Sequence, residues 1–282
     1  MKVELAEHAG FCFGVDKAVS IVHEEIKKKG DKPIYTYGPI IHNEQVVAEL
    51  AAQGVRAVED DEIGSIEPGV MILRSHGVSR EKEEELAAAG FTIVDATCPF
   101  VKRIHKVVEK ESVSGHVIIV GDPGHPEVAG IKGWCREEPY VIRDIKDADA
   151  IPYPKDERIT IVAQTTYNYK KFQEIVDYID KKEYYINVVN TICNATEERQ
   201  EAARKLAECA DCMIVIGGAN SSNSRKLYEI CRERCELTYF IQTLDDLHLE
   251  LPKSVRLVGI TAGASTPNKI IEEVQKHVRN EF

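Results

Sequence analysis

Residues 94–101 read VDATCPFV, a β-branched run that stops at Cys98 and is followed at once by a proline. Proline suits the first turn of a helix, where its missing N–H would have had no partner anyway. The stretch therefore predicts a strand, a short turn carrying Cys98, and a helix whose Val101, Ile104 and Val108 share one face. Two other stretches read the same way: HAGFCFGV at 8–15 and VNTICNAT at 189–196. Cys12, Cys98 and Cys193 stand 86 and 95 residues apart and 89 residues follow the last, so they cut the 282 residues into near-equal thirds. After each cysteine come a strand and a polar loop: GPIIHN with His42, GDPGHPE with His125, GGANSSN with Ser221, at offsets of 30, 27 and 28. A further strand leads to a second polar loop: RSHG with His76, AQTT with Thr165, TAGAS with Ser265, at offsets of 64, 67 and 72. Such recurrence marks repeated supersecondary units, here with a period far longer than a solenoid's.

Short apolar runs predict strands over 33–37, 70–73, 92–94, 117–120, 159–162, 186–189, 213–216 and 256–260. Helical patterns lie between them. Val15, Ala18, Val19, Val22 and Ile26 form one face, with Lys27–Lys29 suiting the helix's C-terminal dipole, and Ala202, Ala203 and Leu206 form another. Strand and helix alternating over this length imply parallel α/β layers. The expectation is an α/β protein of three small parallel-sheet domains, 1–97, 98–192 and 193–282, in a pseudo-threefold, trefoil-like arrangement. Each third would point one cysteine and two polar loops at a shared centre.

Composition narrows the function. With 43% hydrophobic and 29% charged residues the chain has the balance of an ordinary globular protein. Its net charge of −11 argues against a nucleic-acid partner, which calls for a basic footprint. The longest apolar stretches, such as Val117–Val120 and Met213–Ile216, fall far short of the roughly 18 residues that a membrane span needs. MKVELAEHAG has no apolar core of a secretory signal. A cytoplasmic location is expected, and there eight cysteines imply packing, metal binding or catalysis more than disulfides.

Loops at the carboxyl ends of parallel strands are where α/β folds hold ligands. A cysteine opening a helix has its thiolate favoured by the helix N-terminus, and three converging thiolates suit a soft metal centre. The paired CxxC spacings of structural zinc are missing among these three. An iron–sulfur cube takes four thiolates, so three would leave one iron open to substrate as a Lewis acid. The alternative is three small apolar residues at strand–helix junctions. His42, His76, Ser221, Ser222, Asn223 and Ser265 lie in loops fit to bind phosphate through hydroxyls and backbone N–H groups, although Ser221–Ser224 could also be a simple N-cap. His125 and Glu127 form HPE after a strand. A buried carboxyl there would make a proton donor, a solvated one would not. Cys209 with Cys212, and Cys231 with Cys235 at helical spacing, read as core; Cys135 has no evident partner, and Arg80–Glu85 reads as a solvated helix face.

Nine ordered stretches resemble one family. GFCFGV (10–15), GPIIHN (38–43), RSHGV (74–78), DATCP (95–99), HPEV (125–128), QTT (164–166), the run from Thr191 to Gln200, NSSNS (220–224) and TAGAS (261–265) are similar to the motifs of the 4-hydroxy-3-methylbut-2-enyl diphosphate reductases. These enzymes perform the last step of the methylerythritol phosphate route to isoprenoids. The resemblance spans residues 3–270. It implies an oxidoreductase with one [4Fe–4S] cluster held by Cys12, Cys98 and Cys193. It further implies a diphosphate held by His42, His76, Ser221, Ser222, Asn223 and Ser265, and a substrate-hydroxyl network of His125, Thr165 and Glu127 with Glu127 as proton donor. Electrons would come from a ferredoxin or flavodoxin; neither nucleic acid nor membrane is an expected partner. Two other readings stay open on the residues alone: a three-cysteine cluster dehydratase of the quinolinate-synthase kind, and an iron–sulfur redox sensor without catalytic activity.

Overall fold

The computed structural model describes residues 1–28, 30, 32–248, 252 and 254–281. In chain order its strands are β1 (Lys2–Leu5), β2 (Ile34–Tyr37), β3 (Val55–Val58), β4 (Val70–Leu73), β5 (Thr92–Asp95), β6 (His116–Val120), β7 (Tyr140–Ile142), β8 (Ile159–Ala163), β9 (Ile186–Val188), β10 (Cys212–Ile216), β11 (Thr238–Ile241) and β12 (Leu257–Ala262). The α-helices are α1 (Phe13–Lys28), α2 (Glu44–Ala52), α3 (Arg80–Ala88), α4 (Pro99–Glu111), α5 (Pro126–Lys132), α6 (Tyr169–Asp180), α7 (Asn194–Ala207), α8 (Ser222–Arg232) and α9 (Asn268–Glu281).

These strands form three four-stranded sheets, ordered β3-β2-β4-β5, β7-β6-β8-β9 and β11-β10-β12-β1. Every pairing is parallel. The three orders are one order repeated, and each sheet therefore puts its loop ends on one edge. The chain divides into two compact units. One comprises residues 1–16, 42–46 and 194–282 and holds the β1-containing sheet; the other comprises residues 17–41 and 47–193 and holds the remaining two.

A strand alternates its side chains across the sheet, so parallel strands covered on both faces must be apolar on both. β6 shows this directly. Ile118 and Val120 pack with Phe172, Ile175 and Ile179 of α6, while Val117 and Ile119 pack with Ile104, Val108, Val128 and Ile131 of α4 and α5. β10 repeats the arrangement: Ile214 and Ile216 meet Ile271 and Val274 of α9, and Met213 and Val215 meet Ala203, Leu206 and Leu227 of α7 and α8. Each fully buried aliphatic side chain of this kind stabilises the fold by roughly 1.5–3 kcal/mol.

All eight expected strands are present. Four more, β1, β3, β7 and β11, are three- or four-residue strands at sheet edges. The division at residue 97 grouped the N-terminal strand with the first third, whereas by hydrogen bonding β1 completes the sheet of the last third, Lys2 to Leu5 running beside Leu257 to Ile260. In that place β1 is the counterpart of β5 and β9, the strands that precede Cys98 and Cys193. Lys27 and Lys28 end α1 as expected; Lys29 lies outside the described residues.

Candidate active site

Each of the three key cysteines stands immediately before a helix: Cys12 before α1, Cys98 as the residue capping α4, Cys193 before α7. All three are half-buried and take part in no disulfide. Their backbone N–H groups make the same bond. Cys12 donates to the carbonyl of Ala264 at 3.2 Å, Cys98 to that of Ser75 at 3.0 Å, and Cys193 to that of Thr165 at 3.1 Å. The acceptors lie in the loops after β12, β4 and β8, which are the TAGAS, RSHG and QTT loops. The fold thus ties every cysteine to the second polar loop of its own sheet. The cysteine turns are braced further. Thr191 Oγ1 donates to the Ala163 carbonyl and accepts from the Ala163 N–H, at 2.6 and 2.7 Å. Arg199, 2% exposed on α7, donates to the Gly10 carbonyl at 2.8 Å and so holds the turn before Cys12. Sequence reasoning missed Arg199 as a functional residue; the signal it carried was a cation on the buried stripe of α7, beside Thr196, Gln200 and Ala203.

In the larger unit, the loop after β6 delivers a carboxylic acid. His125 caps α5, its Nδ1 accepting from the Glu127 N–H at 3.1 Å. Glu127 is 1% exposed. Its Oε1 accepts from the Thr165 N–H at 2.6 Å and its Oε2 from the Thr165 hydroxyl at 2.7 Å. Among the described residues no cation pairs with it. Burial dominates over the two Thr165 hydrogen bonds and pushes its pKa up to about 7. The His76 ring stands edge-on to that of His125, centroids 5.3 Å apart. The expected trio of His125, Thr165 and Glu127 is therefore assembled, with His76 beside it.

The smaller unit carries a hydroxyl and amide set. Ser221 caps α8, accepting from the Ser224 N–H at 3.3 Å, so the simple capping role holds for that residue. Ser224 Oγ also donates to Ser221 Oγ at 3.0 Å. Any side chain on Gly217 or Gly263 would collide with Ser224, so glycine at both positions lets the NSSNS and TAGAS loops close on each other. Ser265 Oγ donates to the His42 carbonyl at 3.0 Å, joining the GPIIHN loop to the same set. Asn223 is 4% exposed, yet neither its amide oxygen nor its amide nitrogen has a hydrogen-bond partner among the described residues. A buried amide left so costs roughly 1–3 kcal/mol unless a ligand completes it. Ser222 beside it is half-buried.

The other cysteines differ. Cys212, Cys231 and Cys235 are buried, and burial raises all three thiols, the first two to about 12. Cys235 lies beyond the end of α8, although its N–H still bonds the Cys231 carbonyl. Cys209 was expected in the core and is exposed instead, because α7 ends at Ala207 and the residue falls in the turn before β10. Cys135 is half-buried beside Trp134, its thiol also raised to about 12 by burial. Arg80–Glu85 is only partly solvated, since Lys82 pairs with Asp60 at 2.8 Å.

Residues 3–279 match the protein family described as LytB protein. The chain is 44% identical over 282 aligned positions to the 4-hydroxy-3-methylbut-2-enyl diphosphate reductase of Caldanaerobacter subterraneus subsp. tengcongensis, covering 99% of this chain and 97% of that one. It is 45% identical over 280 positions to the enzyme of the same name from Aquifex aeolicus, covering 98% and 95%. Among solved structures it is similar to an (E)-4-hydroxy-3-methyl-but-2-enyl diphosphate reductase described as the terminal enzyme of the non-mevalonate pathway. That match has 43% identity, a TM-score of 0.70, and coverage of 99% of this chain and 100% of that one. It is also similar to the E-1-hydroxy-2-methyl-but-2-enyl-4-diphosphate reductase of Plasmodium falciparum, with 29% identity, a TM-score of 0.90, and coverage of 99% and 87%.

Proposed function

The chain belongs to the LytB family, and from that premise we propose that it is the reductase that converts (E)-4-hydroxy-3-methylbut-2-enyl diphosphate to isopentenyl and dimethylallyl diphosphates. The reaction takes up two electrons and two protons. The allylic C–O bond breaks, the oxygen leaves as water, and a new C–H bond forms at one or other end of the allyl unit.

The donor set fits the cofactor that the reaction needs. Cys12, Cys98 and Cys193 are half-buried thiols in equivalent positions, outside any disulfide and each with its N–H already engaged. Three soft donors suit a [4Fe–4S] cluster with one iron left to the substrate. When bound, that cluster supplies the path by which a carrier's electrons reach the substrate. No helix of the described chain is long and apolar enough to cross a membrane, and the enzyme works in the cytoplasm, drawing electrons from a ferredoxin or flavodoxin.

The observation that carries the chemistry is Glu127. A carboxyl with a pKa of about 7 is protonated often enough at neutral pH to donate and returns readily to be recharged. Thr165 fixes both of its oxygens, and His125 fixes its backbone, so the proton is offered from one position. His125 and Thr165 contact the substrate hydroxyl, which Glu127 protonates as it leaves. The diphosphate is held by the side chains of His42, His76, Ser221, Ser222, Asn223 and Ser265. Hydroxyl, amide and imidazole donors suffice there because a multiply charged diphosphate makes charge-assisted hydrogen bonds with them.

The test is oxidation of reduced viologen by anaerobically reconstituted protein, with and without the hydroxymethylbutenyl diphosphate. Substrate-dependent oxidation yielding the two five-carbon diphosphates is expected. No oxidation, with iron and sulfide present in the sample, overturns the reductase and favours a cluster dehydratase or a redox sensor. Cys98→Ser is expected to lose iron; full iron content in that variant removes Cys98 from the ligand set.

A further inference from the structure

A reductase of this kind takes up two electrons per turnover and therefore needs a carrier that docks close to a cluster ligand. Three helices open at the cysteines assigned to the cluster, and their solvent faces differ in charge. α1 exposes Asp16, Lys17, Glu24, Lys27 and Lys28, a mixed face, and α7 exposes Glu198, Glu201 and Lys205, an acidic one. α4 is different. Val101, Ile104, His105 and Val108 turn inward, and the opposite side exposes Arg103, Lys106 and Lys110. The spacing of three and four residues puts the three cations in one stripe.

The acids of α4 do not cancel this stripe. Glu109 is taken up by Arg80, and Glu111 by Arg158 at 2.6 Å, although Lys110 also lies 3.6 Å from Glu111. Arg103 and Lys106 make no ion pair with any described residue. Phe100, two residues after Cys98, is 36% exposed beside them. At 1.5 Å per residue the stripe begins about 8 Å along the axis from Cys98 and runs for about 10 Å more. A basic stripe in which Arg103 and Lys106 are left without an acidic partner among the described residues, with an apolar contact at its near end, on a chain of net charge −11, is a local feature with a direction.

Resting on the reductase reading, we infer that the solvent face of α4 is the docking surface for an acidic one-electron carrier protein, with Arg103, Lys106 and Lys110 steering it and Phe100 seating it next to the turn of Cys98. Charge complementarity of this kind acts mainly on the rate of encounter and is screened by salt. The test compares the cluster-loaded protein with its Arg103→Glu/Lys106→Glu/Lys110→Glu variant, using reduced ferredoxin and, separately, reduced viologen as electron source. At low ionic strength the KM for ferredoxin should rise about tenfold or more, and the gap should close at high salt, where the Debye length falls to about 3 Å. Viologen-driven kcat should stay unchanged, because a small donor needs no docking face. Calorimetric titration of oxidised ferredoxin into the same two proteins gives a readout independent of turnover, with the same loss expected.

Equal ferredoxin KM and affinity in the two proteins, with viologen turnover intact, overturns the assignment. So does a variant that loses retention on anionic phospholipid vesicles or duplex DNA while its ferredoxin kinetics are unmoved, since the stripe would then serve those partners. Failure of viologen-driven turnover in the unsubstituted protein instead overturns the reductase reading, and the calorimetric comparison still decides the docking face.

Discussion

Glu127 combines near-complete burial with two hydrogen bonds from Thr165, and these act oppositely on its proton. Burial is the larger effect, and the folded protein holds the proton to about pH 7 where an unfolded chain releases it near 4.5. Between those values the native state carries more bound protons than the unfolded one. The contribution is fully present below pH 4.5 and is lost as pH rises through 7, worth about 3 kcal/mol at roughly 1.4 kcal/mol per pH unit. Glu127→Gln should therefore unfold in denaturant with a shallower loss of stability over this window than the parent. The same variant should keep its iron and lose turnover by about 10²–10⁴-fold, the usual worth of a positioned acid; near-normal turnover would take Glu127 off the proton path. Asn223 makes a complementary case. Its amide has no protein partner to lose among the described residues, so Asn223→Ala should leave the melting temperature within a few degrees while raising KM for the diphosphate about tenfold or more. A large fall in stability with KM unchanged would make it a structural residue.

At the scale of elements, the turn after β4 is tightly packed against α4. Gly77 has φ of +72°, and a Cβ there would lie 2.7 Å from His105 Cε1 and 3.1 Å from Thr97 Cγ2. Gly77→Ala should cost about 1–3 kcal/mol through backbone strain and the clash. His105→Ala alone should also destabilise, and the double variant should fall short of the sum; strict additivity would show that the two do not touch. Central strands such as VMIL at 70–73 and CMIVI at 212–216 were legible because burial on both faces demands an unbroken apolar run. VRAV at 55–58 and TYFI at 238–241 were not, because an edge strand of four residues tolerates Arg or Thr and carries no periodicity to measure. The candidate site was legible for a different reason: three turns of one shape need similar residues at one spacing. What sequence withheld was tertiary, namely that Glu127 is buried instead of solvated and that Arg199 reaches back to Gly10.

For the whole molecule, the strand order of the three sheets is the same only because the chain's first strand serves its last sheet. β1 is held there by main-chain bonds from Lys2 to Arg256 and from Ala6 to Ile260, and Val3 adds to the core under α9. Deleting residues 1–6 should bare the edge of β12 and remove that cover. Thermal unfolding should drop by many degrees, with binding of an apolar dye to the folded baseline; an unchanged transition would mean that β1 adds nothing to the sheet. The pairing also sets a clock. Leu257, the neighbour of Lys2 in the sheet, is made 255 residues after it. At about 5–20 residues per second the interval is roughly 10–50 s. Throughout that time the nascent chain carries an unmated strand, whereas the two sheets of the larger unit have every strand they need once β9 is made at Val188, well before Leu257.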